Sequence, residues 1–490
     1  MKPEGYLGLD VGGTGAKAGV VDRHGHMLGM SCRSYQPQVT EGGHVEIPIE
    51  TVYSAAREAA VAAIRASGAR VAALSISSQG QTFVSLNGRD EPLHPAIVWY
   101  DARASQQARR LTHALQSTHL QGAMPMVDAI ATGPKIMWLH ENFPALMAQA
   151  RRYLLVPDYF AYRMTGRAVI DPATAATTGL YAEDAPDYCR EALAAAGINK
   201  NEVAEIQNSG RPIGKVHDEY AEQWELAPST TMVTGTNDQF AGALGAGVCR
   251  SGVVSATAGT CLALVTLTER LPQPLPPGLW GGRFPICRYQ YALAFAKTAG
   301  VVLEWFKREL GAGQSLPDLD AMASHVPVGS RGIIMLPHFD GMISPLPNPG
   351  ARGAFLNLSL HHTRADMYRS ILEALGYSLR ENLDLFRRVG FSVDDVRLMG
   401  GGAKSDVWLQ MMADITGGTI ARPAIVEAAL TGAAIIAAVG SGLYSSLEEA
   451  SGALYRIGRV FAPQADHHAL YEELFANYAR LSQHVNSVQQ

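Results

Sequence analysis

The chain has 490 residues, 47% of them hydrophobic and 17% charged, too long for one ordinary core and apolar enough to fill two. Its formal net charge of −5 comes without a long run of one sign, which argues against a nucleic-acid footprint or a basic membrane face. Five scattered cysteines, Cys32, Cys189, Cys249, Cys261 and Cys287, form no CxxC pair, and their odd number fits no closed disulfide framework, so a reducing compartment is the simpler reading.

From the N-terminus, Met1-Lys2-Pro3-Glu4-Gly5 lacks the apolar run of a signal peptide. Tyr6 to Asp10 reads as a strand, Gly12-Gly13-Thr14-Gly15 as a tight turn, and Ala18 to Asp22 as the returning strand, with His24-Gly25 closing a second hairpin. An Ala-rich helix follows from about Ile49 to Ser67, its apolar residues at helical spacing. Val71 to Ser77 and Ile97 to Trp99 read as short buried strands. The pattern restarts near the middle of the chain. Gly252 to Ala256 is a strand, Ala258-Gly259-Thr260 a small-residue turn, and Leu262 to Leu267 the return. A strand, a Gly/Thr turn and a strand therefore open each half, which points to a duplicated fold. We place the domain boundary so that residues 1–247 form one domain and 248–490 the other. The Pro-rich stretch Leu271 to Pro277 reads as a surface loop. Val396 to Met399 is a strand, Gly400-Gly401-Gly402 a turn, and Ser405 to about Ile415 a helix with Trp408, Leu409, Met411, Met412 and Ile415 on its apolar face. The apolar stretch around residues 433–439 is too short to span a bilayer. The sequence reads as two α/β domains with a cleft between them, in a soluble cytoplasmic protein.

Three segments carry chemistry. In Asp10-Val11-Gly12-Gly13-Thr14-Gly15, small residues let backbone N–H groups approach a phosphate, and a neighbouring carboxylate can hold a hydrated Mg²⁺. An ordinary hairpin turn is the alternative on this motif alone. GxGxxG is not matched, and Gly210-Arg211-Pro212-Ile213-Gly214-Lys215-Val216 is one residue short of a P-loop and lacks its hydroxyl. In Gly235-Thr236-Asn237-Asp238-Gln239, the run after Asp238 reads as a helix of small residues suited to close packing. Asp238 at its start is a helix cap, a catalyst or both. In Gly400-Gly401-Gly402-Ala403-Lys404-Ser405, three glycines can bring backbone flat against a purine or a phosphate. His361-His362 are adjacent and no HExxH occurs, so no metal cage is legible.

Taken in order, these segments resemble one superfamily. Gly12 to Thr14 is similar to the first phosphate motif of sugar kinases, Hsp70 and actin, Gly259-Thr260 to the second, and Gly400 to Ser405 to the adenosine motif. More specifically, Gly400 to Trp408 running on to Ala413-Asp414 resembles the C-terminal signature of FGGY carbohydrate kinases. Pro95-Ala96-Ile97-Val98-Trp99-Tyr100-Asp101-Ala102-Arg103 resembles their N-terminal signature. Asp158-Tyr159, Tyr162 to Gly166 and Gly353-Ala354-Phe355 match as well, so the resemblance covers nearly the whole chain. Xylulokinases look most similar.

The resemblance implies two RNase H-like domains of the actin/hexokinase/Hsp70 ATPase type, closing on ATP, Mg²⁺ and a sugar or polyol. It implies Asp238 as catalytic base and Asp10 as the carboxylate that holds Mg²⁺ through water. Nucleotide and phosphate contacts fall at Gly12, Gly13, Thr14, Lys17, Gly259, Thr260, Gly300, Gly401, Gly402, Ala403 and Asp406. Gln79, Gln81, Trp99 and Asp101 become sugar-pocket residues, with a structural role at the strand ends as the alternative for each. The implied reaction is transfer of phosphate from ATP to a hydroxyl of a ketose or polyol, in the manner of a pentulose kinase. Glycerol, a tetritol, a pentitol or ribulose are alternative acceptors. A non-kinase ATPase or a sugar-binding protein of the same superfamily is the reading of another class. Related kinases are often dimers, which makes a homodimer an expectation here. Two departures bear on the acceptor. Xylulokinases usually show Met-His, and glycerol kinases Arg-Glu, where this chain has Gly80-Gln81. The family's acidic-basic turn before Thr-Pro appears here as Gly341-Met342-Ile343-Ser344-Pro345.

Overall fold

Strands Glu4–Val11 and Gly15–Val21 pair antiparallel as the turn chemistry predicts, and Met27–Ser34 adds the second hairpin across Val21 and Met27. The apolar positions 7, 9 and 11 of the first strand are fully buried, as a strand covered by a core requires. A computed structural model describes residues 2–116, 127–182 and 187–488. They divide into two units. The first comprises Met1–Gly247, Gly282–Tyr289 and Ala429–Tyr455; the second comprises Val248–Gly281, Gln290–Ala428 and Arg456–Gln490.

In the first unit the main sheet has six strands, ordered Pro212–Lys215, Thr231–Asn237, Arg70–Ser78, Glu4–Val11, Gly15–Val21 and Met27–Ser34. Thr231–Asn237, Arg70–Ser78 and Glu4–Val11 run parallel. Their C-terminal ends therefore meet at one edge, where α/β sheets place ligands. The helix Ile49–Ser67 covers the hairpin strands with buried Ile49, Val52, Tyr53, Ala56, Ala59, Ala60, Ala63 and Ile64, and it stops where Gly68 adopts φ 60°. That spacing is the one expected of a single buried face, and glycine takes the left-handed stop without a Cβ clash. A smaller sheet carries Phe83–Leu86, Ala96–Ile97 and Arg152–Leu155. Trp99 falls just beyond its strand, in a turn, rather than within it.

The second unit repeats the pattern. Gly252–Ala258 and Leu262–Thr268 form an antiparallel hairpin extended by Gln290–Ala296. On its other side Gly252–Ala258 pairs parallel with Val393–Met399, which pairs parallel with Ile420–Pro423. Both units thus place an antiparallel hairpin beside two further parallel strands, the arrangement expected of a duplicated RNase H-like fold. The long helix Arg364–Val389 buries its apolar face in this unit's core, starting at a capping box between Thr363 and Asp366 and ending at Gly390, φ 94°. Among the described residues, no helix is long and apolar enough to cross a membrane.

Candidate active site

The helix Asp238–Gly245 starts where the strand Thr231–Asn237 ends. Its small residues serve a packing purpose. A Cβ on Gly432, in the helix Ala428–Gly440, would lie 1.8 Å from the Ala241 carbonyl oxygen, so the two backbones touch. The same neighbouring helix presses on the first strand, where a Cβ on Gly8 would lie 2.2 Å from the Leu430 carbonyl oxygen. These contacts fix the start of the Asp238 helix against the sheet. The N-cap is not Asp238 but Asn237, whose Oδ1 accepts from the Gln239 N–H at 3.0 Å. Asp238 is the first helical residue, so its carboxylate is spared the capping duty that a helix-start Asp ordinarily performs. Part of the side chain meets solvent. Protein nevertheless crowds the carboxyl enough that loss of hydration, with the nearby charge of Asp10, pushes its pKa up to about 7.

Asp10 is the next-to-last residue of the strand Glu4–Val11. It pairs with Ser77 on one side and Lys17 on the other, and Ser77 Oγ donates to Asp10 Oδ1 at 3.4 Å. Directly opposed residues share a sheet face, which puts the Lys17 ammonium stem on the side of Asp10. The turn that follows is held from three directions. The Gly12 N–H donates to the Gly15 carbonyl at 3.0 Å, and the Tyr35 N–H to the Thr14 carbonyl at 3.0 Å. Tyr35 Oη and Gln79 Nε2 both donate to the Gly12 carbonyl, at 2.5 and 3.2 Å. Tyr35 carries no signal in the sequence, because its role depends on a contact between hairpins.

Of the residues expected at the sugar, Gln79 and Trp99 lie beside this turn. A Cβ on Gly13 would sit 3.2 Å from Gln79 Oε1 and 3.7 Å from Trp99 Nε1. Gln79 is 5% exposed and its Oε1 has no hydrogen-bond partner among the described residues. Gln81 adopts φ 56°, a costly conformation for a residue with a Cβ. Trp99 is anchored through its backbone: its N–H donates to Thr82 Oγ1 at 2.9 Å, and its carbonyl accepts from Lys135 Nζ at 2.8 Å. Lys135, which no sequence motif marks, is fully buried and also donates to the Val98 carbonyl at 2.9 Å; burial lowers its pKa to about 7. Asp101 is occupied differently. Its oxygens accept from the Val45 N–H and from the Arg103 N–H, Nε and Nη2 between 2.5 and 2.9 Å. Burial opposes its charge, but these bonds hold the carboxyl below the usual range. Asp101 thus ties the turn after Trp99 to the smaller sheet.

In the second unit two glycine turns adjoin at Ala258. The Gly259 N–H donates to the Cys261 carbonyl at 3.0 Å and the Gly300 N–H to the Gly259 carbonyl at 2.7 Å. The helix Gly300–Leu310 therefore begins on the Gly259-Thr260 turn, and a Cβ on Gly300 would be 2.5 Å from Gly259 O. Helix N-termini of this kind favour anions. Gly401 is exposed with nothing within 4 Å of a Cβ, whereas a Cβ on Gly402 would meet Trp408 Cζ3 at 2.3 Å and Ala258 Cβ at 2.9 Å. Gly402 is thus required by packing, and Gly401 is the open position. Ala403 is buried, with its carbonyl accepting from Arg422 Nη1 at 3.1 Å. Asp406 pairs with Arg422 at 2.7 Å and with Arg459.

The FGGY carbohydrate-kinase N-terminal domain matches residues 5–245, and the C-terminal domain of the same family matches residues 254–441. The chain belongs to the FGGY family of carbohydrate kinases. It is similar over 487 residues to a xylulose kinase of Bacillus subtilis, with 28% identity covering 98% of this chain and 97% of that one. It shares 30% identity over 480 residues with a glycerol kinase of Bordetella parapertussis, covering 94% and 93% of the two chains. Its fold matches the ligand-bound xylulose kinase of Lactobacillus acidophilus with a TM-score of 0.87, at 24% identity and 98% coverage of both. This carbohydrate kinase accordingly uses ATP as phosphate donor and is a sugar phosphotransferase.

Proposed function

We propose that this kinase transfers the γ-phosphoryl group of ATP to a primary hydroxyl of a ketopentose in the manner of a xylulokinase, with Asp238 as general base. The observation that carries the reading is Asp238 itself: a carboxyl released from capping by Asn237, set at the ends of three parallel strands, with a pKa raised to about 7. A base poised near the working pH both exists deprotonated and holds a proton usefully. Asp238 would accept the acceptor's hydroxyl proton as that oxygen attacks phosphorus, the step for which phosphoryl transfer needs positioning more than covalent help.

The backbone N–H groups of Gly13 and Thr14 in the first unit, and of Thr260 in the second, would donate to phosphate oxygens, with Lys17 adding positive charge; Gly12, Gly259 and Gly300 spend their own N–H groups holding the two turns in shape. Gly401 would lie against the adenosine, with Gly402, Ala403 and Asp406 fixing the shape of its loop. Asp10 presents a hard oxygen beside a second carboxylate, a donor set that suits Mg²⁺ bound through water. That ion, when bound, would neutralise phosphate charge. Trp99 and Gln79 would border the acceptor, and Gln81 would reach it from its strained turn.

Glycerol or another polyol is the second reading. It is favoured by the 30% identity that the chain shares with the glycerol kinase of Bordetella parapertussis. Steady-state kcat/KM across ketopentoses, pentitols, tetritols and glycerol, with coupled detection of ADP, decides between them. A ketopentose is expected at the head of the series. A clear preference for glycerol would replace it, and ADP release unaffected by every acceptor would contradict the proposed function.

A further inference from the structure

The polar groups of the turn after Asp10 are sorted by direction, and one tyrosine does much of the sorting. The Gly15 carbonyl accepts from the Gly12 N–H at 3.0 Å, and the Thr14 carbonyl from the Tyr35 N–H at 3.0 Å. The Gly12 carbonyl accepts twice, from Tyr35 Oη at 2.5 Å and from Gln79 Nε2 at 3.2 Å. By contrast, the N–H groups of Gly13 and Thr14 have no partner among the described residues, and Thr14 is exposed.

A trans peptide is planar, with its N–H opposite its C=O. Fixing the Gly12 carbonyl toward Tyr35 and Gln79 therefore turns the Gly13 N–H the other way. The turn needs such fixing. The glycines that let backbone approach an anion also let the peptide between them turn over, because glycine accepts either sign of φ. A Gly12-Gly13 peptide turned over presents a carbonyl oxygen where the N–H had been, and that oxygen repels a phosphate. Tyr35 is suited to prevent this. It is 7% exposed, so packing holds its ring, and it grips the turn at two carbonyls, one on each side of Gly13. A carbonyl only accepts, so the phenol is the donor. Burial, with the nearby charge of Asp10, raises the pKa of the phenol, so the donated proton stays in place.

Resting on the reading of the Gly13 and Thr14 N–H groups as phosphate donors, we propose that Tyr35 is a positioning residue for phosphoryl transfer. It holds the Gly12-Gly13 peptide with its N–H toward the phosphates of ATP, and so strengthens their binding without touching them.

Tyr35→Phe tests this. It removes the hydroxyl and keeps the ring, the backbone bond to Thr14 and the Gln79 bond to the Gly12 carbonyl, so no buried group loses its last partner. ADP and adenosine are compared as inhibitors competing with ATP, since only ADP carries phosphate. The parent is expected to bind ADP more tightly than adenosine. In Tyr35→Phe the Ki for ADP is expected to rise about 3-fold to 10-fold, the scale of one hydrogen bond, with the Ki for adenosine unchanged. The kcat/KM for ATP is expected to fall by a similar factor while the acceptor KM holds. A merely structural role would move both inhibitors together, or neither. A parent-like ratio of the two Ki values in Tyr35→Phe therefore overturns the inference alone. Equal inhibition of the parent by ADP and adenosine contradicts the phosphate role of the turns instead, and the inference falls with it.

Discussion

At Asp238 the same feature that suits a base also loads the folded state. Its carboxyl is raised from 3.8 to about 7 by burial and by Asp10. Catalysis through it requires the ionised form, so kcat/KM is expected to rise with pH through about 7 and to level off above it. Stability runs the other way. Between the unfolded value near 3.8 and the folded value of about 7, the folded chain holds a proton that the unfolded chain has released. With more protons bound in the folded state, stability falls as pH rises across that window. Asp238→Asn removes the ionisation and its repulsion from Asp10. Its unfolding free energy is therefore expected to gain on the parent's as pH rises from about 4 to about 8, by an amount on the order of 1 kcal/mol after allowance for partial exposure, with its melting temperature rising relative to the parent's in step. Calorimetric scans over that range check it. A gap that is constant with pH would show that Asp238 does not hold the shifted proton.

Among the elements, those written in local pattern are legible from the residues alone. The helix Ile49–Ser67 has its apolar residues at one helical face and a glycine stop, and the hairpins have Gly-rich turns between alternating strands. What local pattern does not carry depends on contacts between distant segments. Nothing local shows that residues 429–455 pack with the first unit, or that Gly432 exists to let its helix touch Ala241. The cap of the Asp238 helix lies one residue earlier than the sequence suggests, because Asn and Asp cap equally well and only the Gln239 N–H decides between them. The triple-glycine turn shows the same limit. Its glycines look equivalent in sequence, yet Gly402 is enclosed by Trp408 and Ala258 while Gly401 faces open space. Gly402→Val is therefore expected to destabilise the second unit by about 1–3 kcal/mol through overpacking. Gly401→Val is expected to leave melting unchanged and to weaken ATP binding by about tenfold or more through loss of close backbone approach. Thermal melting and ATP calorimetry on both variants separate the two effects. Full ATP affinity in Gly401→Val would take that glycine out of the nucleotide site.

At the scale of the whole molecule, the two units repeat one strand order, and each carries a Gly/Thr turn on its first hairpin. Their chemistry has nevertheless diverged. The first unit has Asp238, Asp10 and Trp99, while the second has the turn at Gly401. A duplicated fold thus supplies two Gly/Thr turns, and the proposed base belongs to the unit that carries the first of them. The claim on which the rest depends is that base. Asp238→Asn is a near-isosteric change that leaves the Asn237 cap in place and cannot take up a proton at neutral pH. The deciding measurement is kcat for acceptor-dependent ADP release, parent against Asp238→Asn, with ATP affinity measured alongside. The account predicts a fall of about 10² to 10⁴ in kcat with ATP affinity little changed. A kcat within a few-fold of the parent would contradict it.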